Sequence, residues 1–112
     1  MMKSYFQKKT VKRLSQSYSV PGKDSMLMLP TRFSEGLMIH MDNRDNFDGE
    51  GGSFIIGPNA FGHVGFGGSS ATFADPDYKI SFGYMVNKLG GEYLISERCQ
   101  NLINASYTSL HT

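Results

Sequence analysis

Tryptophan is absent from this chain, cysteine occurs once, and proline only four times in 112 residues. A lone cysteine, Cys99, has no partner for an internal disulfide, and no cysteine–histidine spacing suits zinc. No apolar run approaches the roughly 18 residues that a membrane span needs. The segment MMKSYFQKKTVKR lacks the apolar centre of a secretory signal. Together with the single cysteine, this favours a reducing, cytoplasmic setting. Neither S-x-x-K nor Y-x-N nor G-x-S-x-G occurs, so no nucleophilic serine with a recognisable base is in view. A phosphate loop is excluded as well, because a strand rather than a helix follows the glycines and no Walker lysine is present.

What the chain does contain is glycine, thirteen residues of it, with eight phenylalanines and six tyrosines. High glycine and aromatic content without long apolar runs points to strands and turns rather than a helical bundle. Net charge is +1 but unevenly spread. Residues 1–24 carry Lys3, Lys8, Lys9, Lys12, Arg13 and Lys23 against Asp24, a net of +5, which leaves −4 for the remainder. No aromatics interleave with these cations as a stacking platform requires, so a solvated helix face is expected and no nucleic-acid partner.

Periodicity divides the chain into a helix and loop (1–30), antiparallel strands (31–91), and a terminal helix and tail (92–112). Within the first part, Val11, Leu14 and Tyr18 recur at helical spacing over 7–18, and Pro21-Gly22 ends that helix. A strand is expected over 33–41. The loop after it, DNRDNFDGEGG, suggests calcium, but setting Gly49 at the glycine position puts Arg44 and Ile55 where the first and twelfth ligands belong, and both fail. Strands over 61–66 and 69–74 flank a tight Gly67-Gly68 turn. After the Asp75-Pro76-Asp77 turn, residues 79–87 alternate, with Ile80, Phe82, Tyr84 and Val86 on one face. Gly90-Gly91 breaks the chain before a helix over 92–106, whose apolar stripe holds Ile95, Cys99, Leu102 and Ile103 and whose start Glu92 complements. The expected class is therefore α+β, an antiparallel sheet of three to four strands flanked by an amino-terminal and a carboxy-terminal helix.

One constellation bears on chemistry: His63-Val64-Gly65 followed by Phe66-Gly67-Gly68-Ser69. A glycine at 65 lets a ligand approach the strand, and the Phe66 N–H then points outward as a donor for an oxyanion. His63 donates a hydrogen bond to a substrate or carries charge. The competing reading is an ordinary glycine-rich hairpin with an exposed strand histidine. His40 and His111 have no companions at ligand spacing.

The run GHVGFGGSSATFADPDYKISFGYMVNKLGG resembles the carboxy-terminal part of the serine β-lactamase-like family, which includes class C β-lactamases and family VIII esterases. His63-Val64-Gly65 is similar to that family's H-x-G strand, Gly67-Gly68-Ser69 to its turn, and Phe73-Ala74-Asp75-Pro76 with Phe82–Asn87 to its following hairpin. The resemblance is strong over 61–91 and loose before it, through Thr10–Leu14 and Gly36–Ile39.

It implies a partial β-lactamase/transpeptidase-like fold and acyl-enzyme hydrolysis of a small ester or peptide-like substrate without a cofactor or metal. In it His63, Val64 and Gly65 line the substrate site and the Phe66 N–H completes an oxyanion hole. The missing S-x-x-K and Y-x-N imply a carboxy-terminal portion, inactive alone. Its partners are then the amino-terminal part of the same domain or a full-length relative. The alternative is a non-catalytic remnant that binds such a partner.

Overall fold

The computed structural model describes residues 5–19, 24–45 and 52–110. Helix α1 (Lys8–Ser15) is followed by strands β1 (Met38–Ile39), β2 (Phe61–Val64), β3 (Ala71–Asp75) and β4 (Ile80–Tyr84), then helix α2 (Glu97–Ser109). The strands form one antiparallel sheet in the order β1-β2-β3-β4. The architecture is α+β, with one helix at each end of the chain order.

Several expected boundaries shift, each for a local reason. Helix α1 stops at Ser15 rather than at residue 18, because the Tyr18 and Ser19 N–H groups donate to the Phe33 carbonyl and draw the chain into an extended path. None of its residues is buried, and Arg13 binds both oxygens of Glu35 at the surface. The strand expected over 33–41 contracts to Met38–Ile39, flanked by single bridges of Phe33 to Met38 and Met41 to Phe54. Gly36, at φ +100°, turns the chain between them. Helix α2 begins at Glu97, not at 92, because the Ser96 hydroxyl accepts the Cys99 N–H at 3.2 Å and caps it. Glu92 therefore lies outside the helix and does not meet its dipole. Finally, the Gly67-Gly68 turn is wider than two residues: the Gly68 N–H closes back on the Gly65 carbonyl at 3.1 Å with Gly67 at φ +74°, so β2 ends at Val64 and β3 starts at Ala71.

Strand pairing fixes which face is inside. Gly62 lies opposite Phe73, and Phe73 opposite Phe82, on the face covered by α2. The strand expected over 79–87 contracts to Ile80–Tyr84, because Lys79 sits at φ +55° in the turn and the pairing partner β3 begins only at Ala71, opposite Tyr84. Within it the expected alternation holds: Ile80, Phe82 and Tyr84 are half-buried, while Ser81 and Gly83 are exposed. Phe73 is the centre of the core. Its ring stacks on Phe82 at 5.2 Å and on Tyr107 at 5.9 Å, and meets Phe54 edge-on at 6.5 Å. Phe73 and Phe54, the two buried rings of this group, contribute about 1.5–3 kcal/mol each through lost water contact alone. Leu29, Phe54, Leu94, Cys99 and Ile103 complete the core. Of the apolar residues assigned to one stripe of α2, Cys99 and Ile103 are buried, whereas Leu102 is 42% exposed because its position rotates past the contact line. Among the described residues, no helix is long and apolar enough to cross a membrane.

Candidate functional site

The β2–β3 connection is tightly constrained backbone. Gly67 and Gly68 have φ of +74° and +68°, values that L side chains rarely adopt. Space forbids side chains there too. A Cβ at Gly67 would stand 2.5 Å from the Gly90 carbonyl oxygen, and one at Gly68 would stand 2.8 Å from the Glu92 Cβ. The Ser96 N–H donates to the Gly68 carbonyl at 2.8 Å, and the buried Ser69 hydroxyl accepts the Gly90 N–H. The segment from Gly90 to Ser96 thus clamps the turn from outside. Gly90-Gly91, read from the sequence as a chain break, is one jaw of that clamp. A second glycine pair at a distance in sequence is the signal for such close backbone approach.

The clamped turn borders a cavity of about 490 Å³. His63, Val64 and Gly65 all line it, with Phe33, Met38 and Glu92 among the other walls. Three of the four residues singled out in the sequence therefore share one concave surface. Glu92 and Tyr93 also line it and carried no motif to announce them.

Phe66, the fourth, enters through its backbone. Strand β1 pairs only with Phe61 and Gly62, so among the described residues β2 has no strand neighbour on that side from residue 63 onward. The Gly65 N–H donates to the Ser70 carbonyl at 2.9 Å, toward β3. Gly65 is extended (φ −85°, ψ 167°), so the next N–H, that of Phe66, lies on the opposite edge.

Gly65 has a second role beside a flat wall. A Cβ there would collide with the Ser70 hydroxyl, its cross-strand neighbour. The glycine is required by packing between β2 and β3 whether or not a ligand approaches.

His63 is exposed on β2, and its Nδ1 donates to the Val64 carbonyl at 2.6 Å. A carbonyl only accepts, so the proton sits on Nδ1 and the neutral ring presents Nε2 as an acceptor. Donation to a bound molecule from Nε2 then requires the imidazolium form. His40 has a different task. Its Nδ1 accepts the Ile56 N–H at 3.3 Å, which ties the strand segment to the Phe54–Ile56 stretch. His111 lies outside the described residues.

A second polar cluster was not legible in the sequence. Asp75 is buried (1% exposed) at the end of β3, and it accepts the Tyr107 hydroxyl at 2.6 Å and the Asp77 N–H at 3.0 Å. The Tyr107 oxygen in turn accepts the Gly57 N–H at 2.9 Å. Burial, then the bond to Asp75, push the Tyr107 phenol above its ordinary value. Asp42 is held down to about 2 by its hydrogen bond from the Arg44 side chain, an exposed local pair. Part of the acidic loop tested for calcium (residues 46–51) lies outside the described residues, and no group of three or more His, Cys, Asp or Glu side chains suited to a metal occurs among the described ones.

No protein-family model matches the chain, and no curated protein matches it.

Proposed function

We propose that this chain forms the substrate wall and one oxyanion donor of a serine hydrolase of the β-lactamase-like type, with the nucleophile supplied from outside these 112 residues. The observation that carries this reading is the edge of β2, unpaired among the described residues, beside the His63-lined cavity. There the Phe66 N–H points away from β3 while Gly90 to Ser96 hold the turn rigid. A preorganised backbone donor of this kind is worth about 3–4 kcal/mol in an acyl-transfer transition state. His63 would face the substrate through Nε2, and the absence of lysine or arginine among the described residues of the cavity wall suits a neutral ester or peptide-like substrate over an anionic one.

The ring of His63 bonds a backbone carbonyl, not a serine hydroxyl, and no S-x-x-K is present to supply a serine–lysine pair. Alone, the chain therefore binds without turning over. The experiment is hydrolysis of a neutral aryl ester by the 112-residue chain and by the longest endogenous product that contains it, with the intact mass of that product measured alongside. Activity confined to a longer product bearing S-x-x-K, and reduced by H63A, is the expected result. An endogenous product of 12.4 kDa without esterase activity would overturn the enzymatic reading. It would favour the second one, a non-catalytic partner-binding module, to which the open strand edges of the sheet lend support.

A further inference from the structure

We infer that β4 is a self-complementary edge through which two copies of this chain pair antiparallel, with Phe82 on the two-fold axis. This inference goes beyond the hydrolase reading and does not depend on it.

Strand β4 is last in the sheet order, and no described strand lies on its outer side. The ladder alternation determines which groups are free. Because the Gly65 N–H bonds the Ser70 carbonyl, His63 and Thr72 also face each other as a hydrogen-bonded pair, and Ala71, Phe73 and Asp75 turn their polar groups to β4. Their partners Tyr84, Phe82 and Ile80 face inward, so Ser81 and Gly83 present their N–H and C=O groups to the open edge. Such edges are usually blunted by a proline, a charge or a bulge. Residues 80–87 contain none of the first two, the pairing of 80–84 with β3 is unbroken, and Met85 stands 86% exposed at the end of the strand.

A second copy fits this edge in one register that pairs all five strand residues with one another. Centred on Phe82, it places Ser81 opposite Gly83 of the second copy as two hydrogen-bonded pairs. These are the residues whose polar groups are free. On the core face, Ile80 meets Tyr84 of the second copy, a β-branched–aromatic pair of the favourable kind. Phe82 meets its own symmetry mate and extends the Phe73–Phe82 stack across the interface. Ile80, Phe82 and Tyr84 are half-buried in the single chain, so the second copy covers surface that the core leaves open. Charge agrees as well. No charged residue lies within Ile80–Tyr84, so the pairing sets no like charges against each other. On the outer face, Ser81 and Gly83 are small and exposed, and a Cβ at Gly83 would meet nothing within 4 Å.

The test is sedimentation velocity of the full 112-residue chain over roughly 5–500 µM, the range in which a small interface associates. It is run beside S81K/G83K and S81K/G83E. The first variant sets lysine opposite lysine twice, and the second sets lysine opposite glutamate only in the register centred on Phe82. The expected result is a concentration-dependent dimer, weakened at least about tenfold in S81K/G83K and restored in S81K/G83E. A chain that stays monomeric throughout overturns the proposal, as does a dimer indifferent to S81K/G83K or one that S81K/G83E fails to restore. Amide exchange on the unmodified chain gives an independent reading. The Ser81 and Gly83 N–H groups gain protection as concentration rises; equal exchange at both ends of the range overturns the pairing.

Discussion

Tyr107 on α2 donates its phenolic proton to the buried Asp75 carboxylate across 2.6 Å, and the same oxygen accepts the Gly57 N–H. One hydroxyl thereby joins the terminal helix, the end of β3 and the Gly57-Pro58 turn. Tyr107→Phe keeps the ring stacked on Phe73 but leaves a buried acceptor and a backbone donor short of a partner. We expect a loss of about 1.5–3 kcal/mol, read from urea unfolding, with Tyr107→Ala costing more because the stack is lost as well.

The same bond sets an alkaline limit. Burial and Asp75 raise the Tyr107 value in the folded state above that of the unfolded chain, so the native state holds this proton more tightly. Its contribution is complete below the unfolded value near 10 and is lost as pH rises through the folded one. In a near-ultraviolet phenolate titration, one of the six tyrosines should ionise only together with cooperative unfolding. Smooth titration of all six in the folded chain would contradict this.

Cys99 is fully buried, and burial pushes its thiol up to about 11. At neutral pH a disulfide-exchange reagent should react roughly a hundredfold more slowly with the folded chain than with the denatured one. Equal rates would mean that the α2 contact opens readily.

The glycines separate by environment. Gly68→Ala introduces a Cβ at φ +68° and 2.8 Å from Glu92, and should cost about 1–3 kcal/mol. Gly83→Ala enters open space on the exposed face and should change stability by no more than about 0.5 kcal/mol. Thermal unfolding of the two variants side by side measures the contrast.

Gln100 behaves as a strand partner in side-chain form. Its Oε1 accepts the Ile55 N–H at 3.1 Å and its Nε2 donates to the Ile55 carbonyl at 2.8 Å. Gln100→Leu leaves both backbone groups unpaired and should cost about 2 kcal/mol. Gln100→Glu keeps the first bond and sets oxygen against oxygen at the second, so it should not rescue stability. Chemical denaturation of both variants tests this.

The alternation of Ile80, Phe82 and Tyr84, the Asp75–Asp77 turn and the buried stripe of Cys99 and Ile103 were all readable in the sequence, because each is a local pattern of period or turn chemistry. So was the grouping of His63, Val64 and Gly65, since consecutive strand residues near a turn share one end of the sheet. Leu29, Phe54 and Leu94 were only partly readable as core. They sit in short apolar runs, Met26–Leu29, Phe54–Ile56 and Leu94-Ile95, where packing was expected but no period says which side chain is buried; Leu29 is, whereas Met26 and Met28 are exposed.

The sequence by itself determined that this is an antiparallel α+β chain with its candidate chemistry at one glycine-rich hairpin, because strand period and turn residues act over a few neighbours. Only the tertiary structure decided that Gly90 and Glu92 clamp that hairpin, that Tyr107 reaches Asp75 across 32 positions, and that β4 is left as the open edge. Those outcomes depend on backbone groups far apart in the chain competing for the same donors, acceptors and space, and that competition is resolved only when the whole chain packs.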